Sequence, residues 1–404
     1  MKLTRFAVNN YKALKEIDFE LGSVNIFIGT NGVGKSSVLE AIGILSASVN
    51  DRVDDESLYR RGVRLGTPKL YKSSFKAIDR LPNTIEFAID WSDEESNYRY
   101  KVNLSNSTDN PEPCWSYFSE SLTKDGINIP ELTRGQIPKS VSLNNKENNS
   151  FDVDKYRGIL TFFKNTSKTA FISGFYDMFK DYAVYTPSTD MLRGVSIDVS
   201  QKRPIGLHGG RLAEAISDLM NVNDDMFGTM DVEDLYELLD WVKEIEIGKP
   251  QKDMVPTGVP TPQRVIQFTD KYMKPGNDRL SSYDASEGAL YVLFVLTLSL
   301  HPDAPKAFAI DNFDQAMNPR LARATMKCFC ENVIANNKYA FVTTHNPLVL
   351  DGLDLLNPQI KLFTMDRTKN GFASITPVQV DEKLSKSSLS TLWLSGALGG
   401  VPNL

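Results

Sequence analysis

Residues 24–28, Val24-Asn25-Ile26-Phe27-Ile28, form a short β-branched and aromatic run closed by a glycine, the composition of a buried strand. The chain then reads Gly29-Thr30-Asn31-Gly32-Val33-Gly34-Lys35-Ser36, which fits G-x-x-x-x-G-K-[ST]. An apolar-periodic helix follows through Val38, Leu39, Ile42 and Leu45. Strand, glycine loop and helix in this order are the context that turns such a motif into a phosphate-binding loop. Glycines let backbone N–H groups crowd around phosphate oxygens without Cβ interference, and the helix N-terminus adds partial positive charge. Residues 29–37, with Ser37 the last of them, are the expected nucleotide cradle. Lys35 would reach the β- and γ-phosphates, and the Ser36 hydroxyl would serve a Mg²⁺ ion. ATP and Mg²⁺ are therefore the expected cofactors.

Composition removes several other classes. The 404 residues carry 45 Lys and Arg against 51 Asp and Glu, a net charge of −6 that speaks against a wholly basic nucleic-acid binder. The length suits roughly two to three domains, or one elaborated one, with ample core. The longest apolar run, 289–300, falls short of the ~20 residues a bilayer span requires. The start, Met1-Lys2-Leu3-Thr4-Arg5, lacks a signal-peptide core. Three cysteines rule out a disulfide framework, and Cys328 and Cys330 are misplaced for a zinc pair on a helix. A soluble, reduced, cytoplasmic protein without a membrane partner is expected.

The last third holds a second set of signals. Ser286-Glu287-Gly288 precedes a strongly apolar helix at 289–300. Residues 307–310 then read as an apolar strand ending in Asp311, placed to hold the Mg²⁺ of the bound nucleotide in the manner of a Walker B carboxylate. A helix at 320–333 and a strand at 339–343 follow, the strand ending in Thr344-His345-Asn346-Pro347. Each piece alone is ordinary; Ser-Glu-Gly before a helix is commonly a cap with a first-turn carboxylate. Their order after a phosphate loop is what distinguishes them.

In these residues, together with Asn10-Tyr11-Lys12, the sequence resembles ABC-type ATPases. The resemblance is to the RecF/SMC-like branch, which includes OLD ATPases and the AAA-type ATPases of bacterial antiphage systems. The shared motifs cover roughly 1–100 and 270–365, and the tail, Leu392-Trp393-Leu394-Ser395-Gly396 and Gly399-Gly400-Val401-Pro402, looks similar as well. The resemblance implies an α/β fold: an ABC-type P-loop ATPase head, a mixed sheet with flanking helices, interrupted by an inserted α+β or helical module. Its parts would be 1–104, an insertion at 105–270 with 183–193 returning to the core, and 271–404. It also implies two copies sandwiching two nucleotides head to tail. Ser286, Glu287 and Gly288 of one copy would cap the γ-phosphate held by the other, with His345 as its sensor.

The chain departs from that branch after the Asp311 strand. Members usually read Ile-Asp-Glu-Pro-Glu; here the residues are Ile310-Asp311-Asn312-Phe313-Asp314. Asn312 stands where the water-activating glutamate is expected, and an amide positions water without accepting its proton. Asp314 is then either a substitute base or a cap of the following turn. Firm ATP binding with slow turnover is expected, as in a switch. No glutamine occurs between Ser37 and Arg134, so a Q-loop residue has no assignment.

In the middle, 83–91 and 98–104 read as strands, 115–129 as a hairpin-like stretch, 183–187 as a strand returning to the core, and 212–220 and 232–247 as helices. Polar linkers are expected at 105–113, 143–151 and 248–263. With His208, His301 and His345 as the only histidines, a built-in metal nuclease is not expected. Between 60 and 80 the basic residues Arg60, Arg61, Arg64, Lys69, Lys72, Lys76 and Arg80 meet only Asp79. They form a candidate phosphate-contacting patch for DNA or RNA, or a solvated face. The leading functional expectation is an ATP-gated homodimer, or higher homo-oligomer, that senses a phage-derived cue and holds a separate nuclease or toxin effector. The alternative is a RecF-like DNA-binding ATPase of repair or maintenance.

Overall fold

The computed structural model describes residues 1–134, 154–163, 170–200, 202–220, 225–250, 263–379 and 387–401. The linker expected at 143–151 and most of that at 248–263 lie outside them. The chain opens with the hairpin β1 (Lys2–Tyr11) and β2 (Leu14–Glu20), then β3 (Val24–Gly29) and α1 (Lys35–Asn50). Short helices α2 (Asp55–Tyr59) and α3 (Pro68–Tyr71) precede a meander of β4 (Thr84–Ser92), β5 (Asn97–Ser105), β6 (Ser116–Lys124) and β7 (Ile127–Arg134). Helices α4 (Leu160–Phe163) and α5 (Ala170–Phe179) lead to β8 (Val184–Tyr185), α6 (Thr189–Leu192) and α7 (Leu212–Met220). A small ladder of β9 (Met226–Phe227) and β10 (Met230–Asp231) introduces α8 (Val232–Leu238), β11 (Val242–Gly248), β12 (Val265–Asp270) and β13 (Arg279–Ser281). The last third runs α9 (Glu287–Leu300), β14 (Ala307–Ile310), α10 (Pro319–Ala335), β15 (Tyr339–Thr343) and α11 (Pro347–Leu350). It ends with β16 (Ile360–Arg367), β17 (Ala373–Pro377) and α12 (Leu389–Leu394).

A six-stranded sheet, β17-β16-β3-β15-β14-β8, joins strands from both ends of the sequence. All its pairs are parallel except β16 with β17 at one edge. Alternation along the strands sorts two cores. Phe27, Ala309, Phe341 and Phe363 face α1, while Ile26, Ile28, Ile310 and Val342 face α9. A second six-stranded sheet, antiparallel with order β2-β1-β4-β5-β6-β7, covers the far side of α1. Helix α1 is thus clamped between two sheets and buried along nearly its whole length, which is why its sequence lacks a polar stripe. Helix α9 is buried from Gly288 to Leu300 on the opposite side, against α6, α7 and α10.

Two expectations change. The antiparallel sheet continues through β6 and β7 to Arg134, so a boundary at 104/105 cuts through it. The helix expected over 232–247 ends at Leu238, and Val242–Gly248 pairs with β12 instead. A register shift between Val242 and Glu244 puts buried Val242 and Ile245 three residues apart, a helical spacing produced by a bulged strand. Among the described residues no helix is long and apolar enough to cross a membrane.

Candidate functional site

Parallel register decides what meets at the end of the sheet. Ile310 pairs with Val342, and Thr343 with Phe27, so the segments leaving β3, β14 and β15 emerge side by side. The phosphate loop, Asp311 and the Thr344–His345 turn converge there, at the carboxyl ends where α/β sheets place ligands.

The loop has the shape of an anion cradle. Gly29 has φ +151°, and a Cβ there would lie 2.4 Å from the Met365 carbonyl oxygen. Gly34, with φ 116°, precedes α1, and no side chain caps the first turn. The N–H groups that a cap would satisfy are left for an incoming anion. Lys35 is only 6% exposed and donates to the carbonyls of Gly29 at 2.7 Å and Thr30 at 2.9 Å. Burial lowers its pKa to about 8, against the attraction of Asp311. Ser36 Oγ donates to Asp311 at 2.8 and 3.1 Å, so the hydroxyl and carboxylate that fit a Mg²⁺ ion already adjoin.

The strand ends hold the acidic residues in place. Thr343 Oγ1 donates to Asp311 at 2.5 Å and accepts the Asn312 N–H at 2.9 Å. Thr344 Oγ1 donates to Asp314 at 2.6 Å. Asn312 itself is exposed, with a left-handed φ of 59°. His345 is exposed beside this group; partial desolvation and the Lys35 charge lower its pKa, opposed by Asp314 and Asp311.

Ser286, Glu287 and Gly288 lie elsewhere. Ser286 is exposed at the start of α9 and makes no capping bond with its side chain. It lines a cleft with Asn318, Arg320 and the 237–241 turn. The Glu287 carboxylate accepts the Thr189 hydroxyl. Gly288 is buried, and the Ala316 carbonyl oxygen lies 3.1 Å from where its Cβ would be. Thr189 follows β8, three strands from β3 in the sheet, a lateral offset of about 14 Å at ordinary strand spacing. The α9 motif and the phosphate loop therefore open helices on opposite faces of one sheet.

Two of the seven basic residues between 60 and 80 are buried, so the exposed basic surface is smaller than the sequence suggested. Arg61 is 8% exposed and donates to Ser46 Oγ and the Ser57 carbonyl. Lys72 is 5% exposed and donates to the Asn106 carbonyl at 2.7 Å. Arg60 pairs with Glu56, and Arg64 with Glu40. Arg60 and Arg64 stay exposed in these pairs, and Lys69, Lys76 and Arg80 are exposed as well. Sequence reasoning missed Glu40, one turn into α1 and almost fully buried, which also binds Lys12 and the Tyr11 hydroxyl. Burial raises its pKa, but Arg64 and Lys12 outweigh that and lower it. A carboxylate on the all-apolar side of a helix was the signal. Thr343 was missed as well, and Thr344 was named in its motif without a role, both being ordinary residues for a strand end.

Comparison with known proteins bears on the family and the fold. The chain is 35% identical to the DNA replication and repair protein RecF of Leifsonia xyli subsp. xyli over 68 residues, 16% of this chain and 17% of RecF. It is 31% identical to the DNA double-strand break repair Rad50 ATPase of Saccharolobus solfataricus over 78 residues, 19% of this chain and 9% of Rad50. Both similarities span well under a fifth of those relatives. An SMC head, solved bound to the C-winged helix domain of ScpA, superposes with TM-score 0.54 at 11% identity, covering 96% of this chain and all of that one. The fold is accordingly that of an SMC head, an ABC-type P-loop ATPase architecture. With residues 24–351 matched, the chain belongs to the family described as "AAA domain, putative AbiEii toxin, Type IV TA system".

Proposed function

We propose that this protein is an ATP-gated homodimeric switch: an ATPase of RecF/SMC type that binds Mg-ATP firmly, hydrolyses it slowly and controls a separate effector in antiphage defence. The observation that carries the dimer is the placement of Ser286-Glu287-Gly288 and of 29–37 on helices of opposite faces of the sheet. A γ-phosphate in the loop has Lys35 and His345 of its own chain beside it. The exposed Ser286 of a second copy supplies the missing wall. Ser36 and Asp311 would hold Mg²⁺, which supplies charge neutralisation of the β- and γ-phosphates. Lys35 exchanges its two carbonyl partners for phosphate oxygens, and the free N–H groups at the start of α1 take up the rest. Asn312 orients water without accepting its proton, which keeps turnover low.

Such a dimer is held by a charge that leaves on hydrolysis, so its lifetime follows the nucleotide. Light scattering tests it directly: Mg-ATP is expected to double the apparent mass of wild type and leave Lys35→Ala monomeric. Equal masses with and without ATP would refute the gating. The family's toxin–antitoxin description and the resemblance to antiphage ATPases support the defence role in the cytoplasm. Co-purification of a nuclease or toxin encoded beside this gene is the test of that part. A second reading, DNA maintenance, is favoured by the RecF and Rad50 similarities and by exposed Lys69 and Lys76. It requires ATP-dependent duplex binding that weakens with salt and with Lys69→Ala/Lys76→Ala.

A further inference from the structure

We infer that Asp314 and Thr344 form a latch that positions His345, and that Asp314 is not the proton acceptor its place after the Asp311 strand suggests. Thr344 is fully buried, and its hydroxyl does two things at once. It donates to Asp314 Oδ1 at 2.6 Å and accepts the Asn346 N–H at 3.1 Å. The same Asp314 oxygen faces the His345 N–H at 3.4 Å. Asp314 Oδ1 therefore sits over the backbone of the turn that carries the imidazole, tied to a hydroxyl that is itself locked into that turn. Both contacts fall on one carboxylate oxygen, which is thereby committed to the turn.

The adjacent pair works in parallel. Thr343 holds Asp311 and Thr344 holds Asp314, so one strand end fixes both carboxylates of the neighbouring segment. Their bonds differ in consequence. Asp311 is held in place to meet a metal, whereas Asp314 is bound through one oxygen to the His345 turn. The imidazole can report on a γ-phosphate only if its backbone stays at one height above the loop. The latch supplies that height through a buried hydroxyl and one carboxylate oxygen.

The inference rests on reading 29–37, Asp311 and His345 as an ATP site, and the experiment separates the two. Four substitutions are compared in the full-length protein: D314N, D314A, T344S and T344V. The Asn amide oxygen still accepts from Thr344 and His345 but takes no proton, and Ser keeps the hydroxyl that Val removes. With Mg-ATP, steady-state phosphate release by D314N and T344S is expected to rescue most of the turnover that D314A and T344V lose. The loss in those two is expected to be about tenfold and in kcat, with KM little changed. A D314N as slow as D314A, beside a T344V of normal rate, would make Asp314 the base and overturn the latch. Histidine-selective NMR of the nucleotide-free protein is the independent arm, since the chain has only 3 histidines. D314A and T344V should shift the His345 resonances while leaving His208 and His301 in place, and D314N should shift them less. Unmoved His345 signals would refute the latch whatever the kinetics; a wild type without turnover would refute the ATPase reading and leave this arm decisive.

Discussion

On the proposed reading Lys35 and Asn312 would set the site's behaviour one residue at a time. Without nucleotide, Lys35 is buried against two carbonyls and its pKa falls to about 8. The free protein therefore loses this charge as pH rises through about 8, whereas a bound triphosphate holds the proton. Below that pH the attraction is fully present; above it, binding must first take up a proton. The Kd for ATP is expected to rise by roughly tenfold or more between pH 7.5 and 9.5, measured by calorimetry. A flat profile would mean Lys35 stays charged in the empty loop. Asn312 carries the opposite test. If the slow turnover comes from a missing base, Asn312→Glu should raise steady-state phosphate release by about tenfold or more. An unchanged rate would show that the limit lies elsewhere, in dimer opening or product release.

At the scale of elements, α1 shows how the two sheets constrain a helix. Gly43 lies in its middle, where intrinsic propensity favours alanine by about 1 kcal/mol. A Cβ there would sit 2.6 Å from Val63 Cγ2, a stiff branched side chain that is itself buried. Overpacking of that kind costs about 1–3 kcal/mol, so Gly43→Ala is expected to destabilise, by about 1 kcal/mol net, in urea unfolding. A gain in stability would show that Val63 yields freely. Whether an element could be read from sequence depended on where its partners lie. The β3–loop–α1 unit was legible because its signals are contiguous and local. So were β14, β15 and the start of α9. The β11 strand was not, because its bulge mimics helical spacing; nor was the extension of the antiparallel sheet to Arg134, which needs pairings across a chain reversal. Two residues of the basic segment were misread for a related reason. Arg61 and Lys72 are buried and hydrogen-bonded to Ser46 and to the Asn106 carbonyl, partners that no local charge count includes.

The whole molecule poses the question of how an ATP site is completed. The phosphate loop and Ser286 sit on opposite faces of one sheet, so a head-to-tail dimer, as proposed, would build each site from two chains. That arrangement has an arithmetic signature. An Asp311→Asn dimer keeps the loop but lacks the carboxylate for Mg²⁺, and a Ser286→Arg dimer has a bulky cation where the γ-phosphate wall should be. Mixed in equal amounts with ATP cycling, half the dimers are heterodimers. In each of these, one site pairs the intact loop of the Ser286→Arg copy with the intact Ser286 of the other. The second site carries both lesions. Phosphate release should therefore recover to about one quarter of wild type from two preparations that are each inactive alone. Recovery proportional to neither mixing ratio nor dimer formation would point to contamination, and no recovery at any ratio would mean that each chain completes its own site. In that case α9 would have to move across the sheet end by more than ten ångströms (about 14 Å at ordinary strand spacing), breaking the Glu287–Thr189 bond on the way. The quarter recovery thus distinguishes a shared site from a large conformational change within a single head.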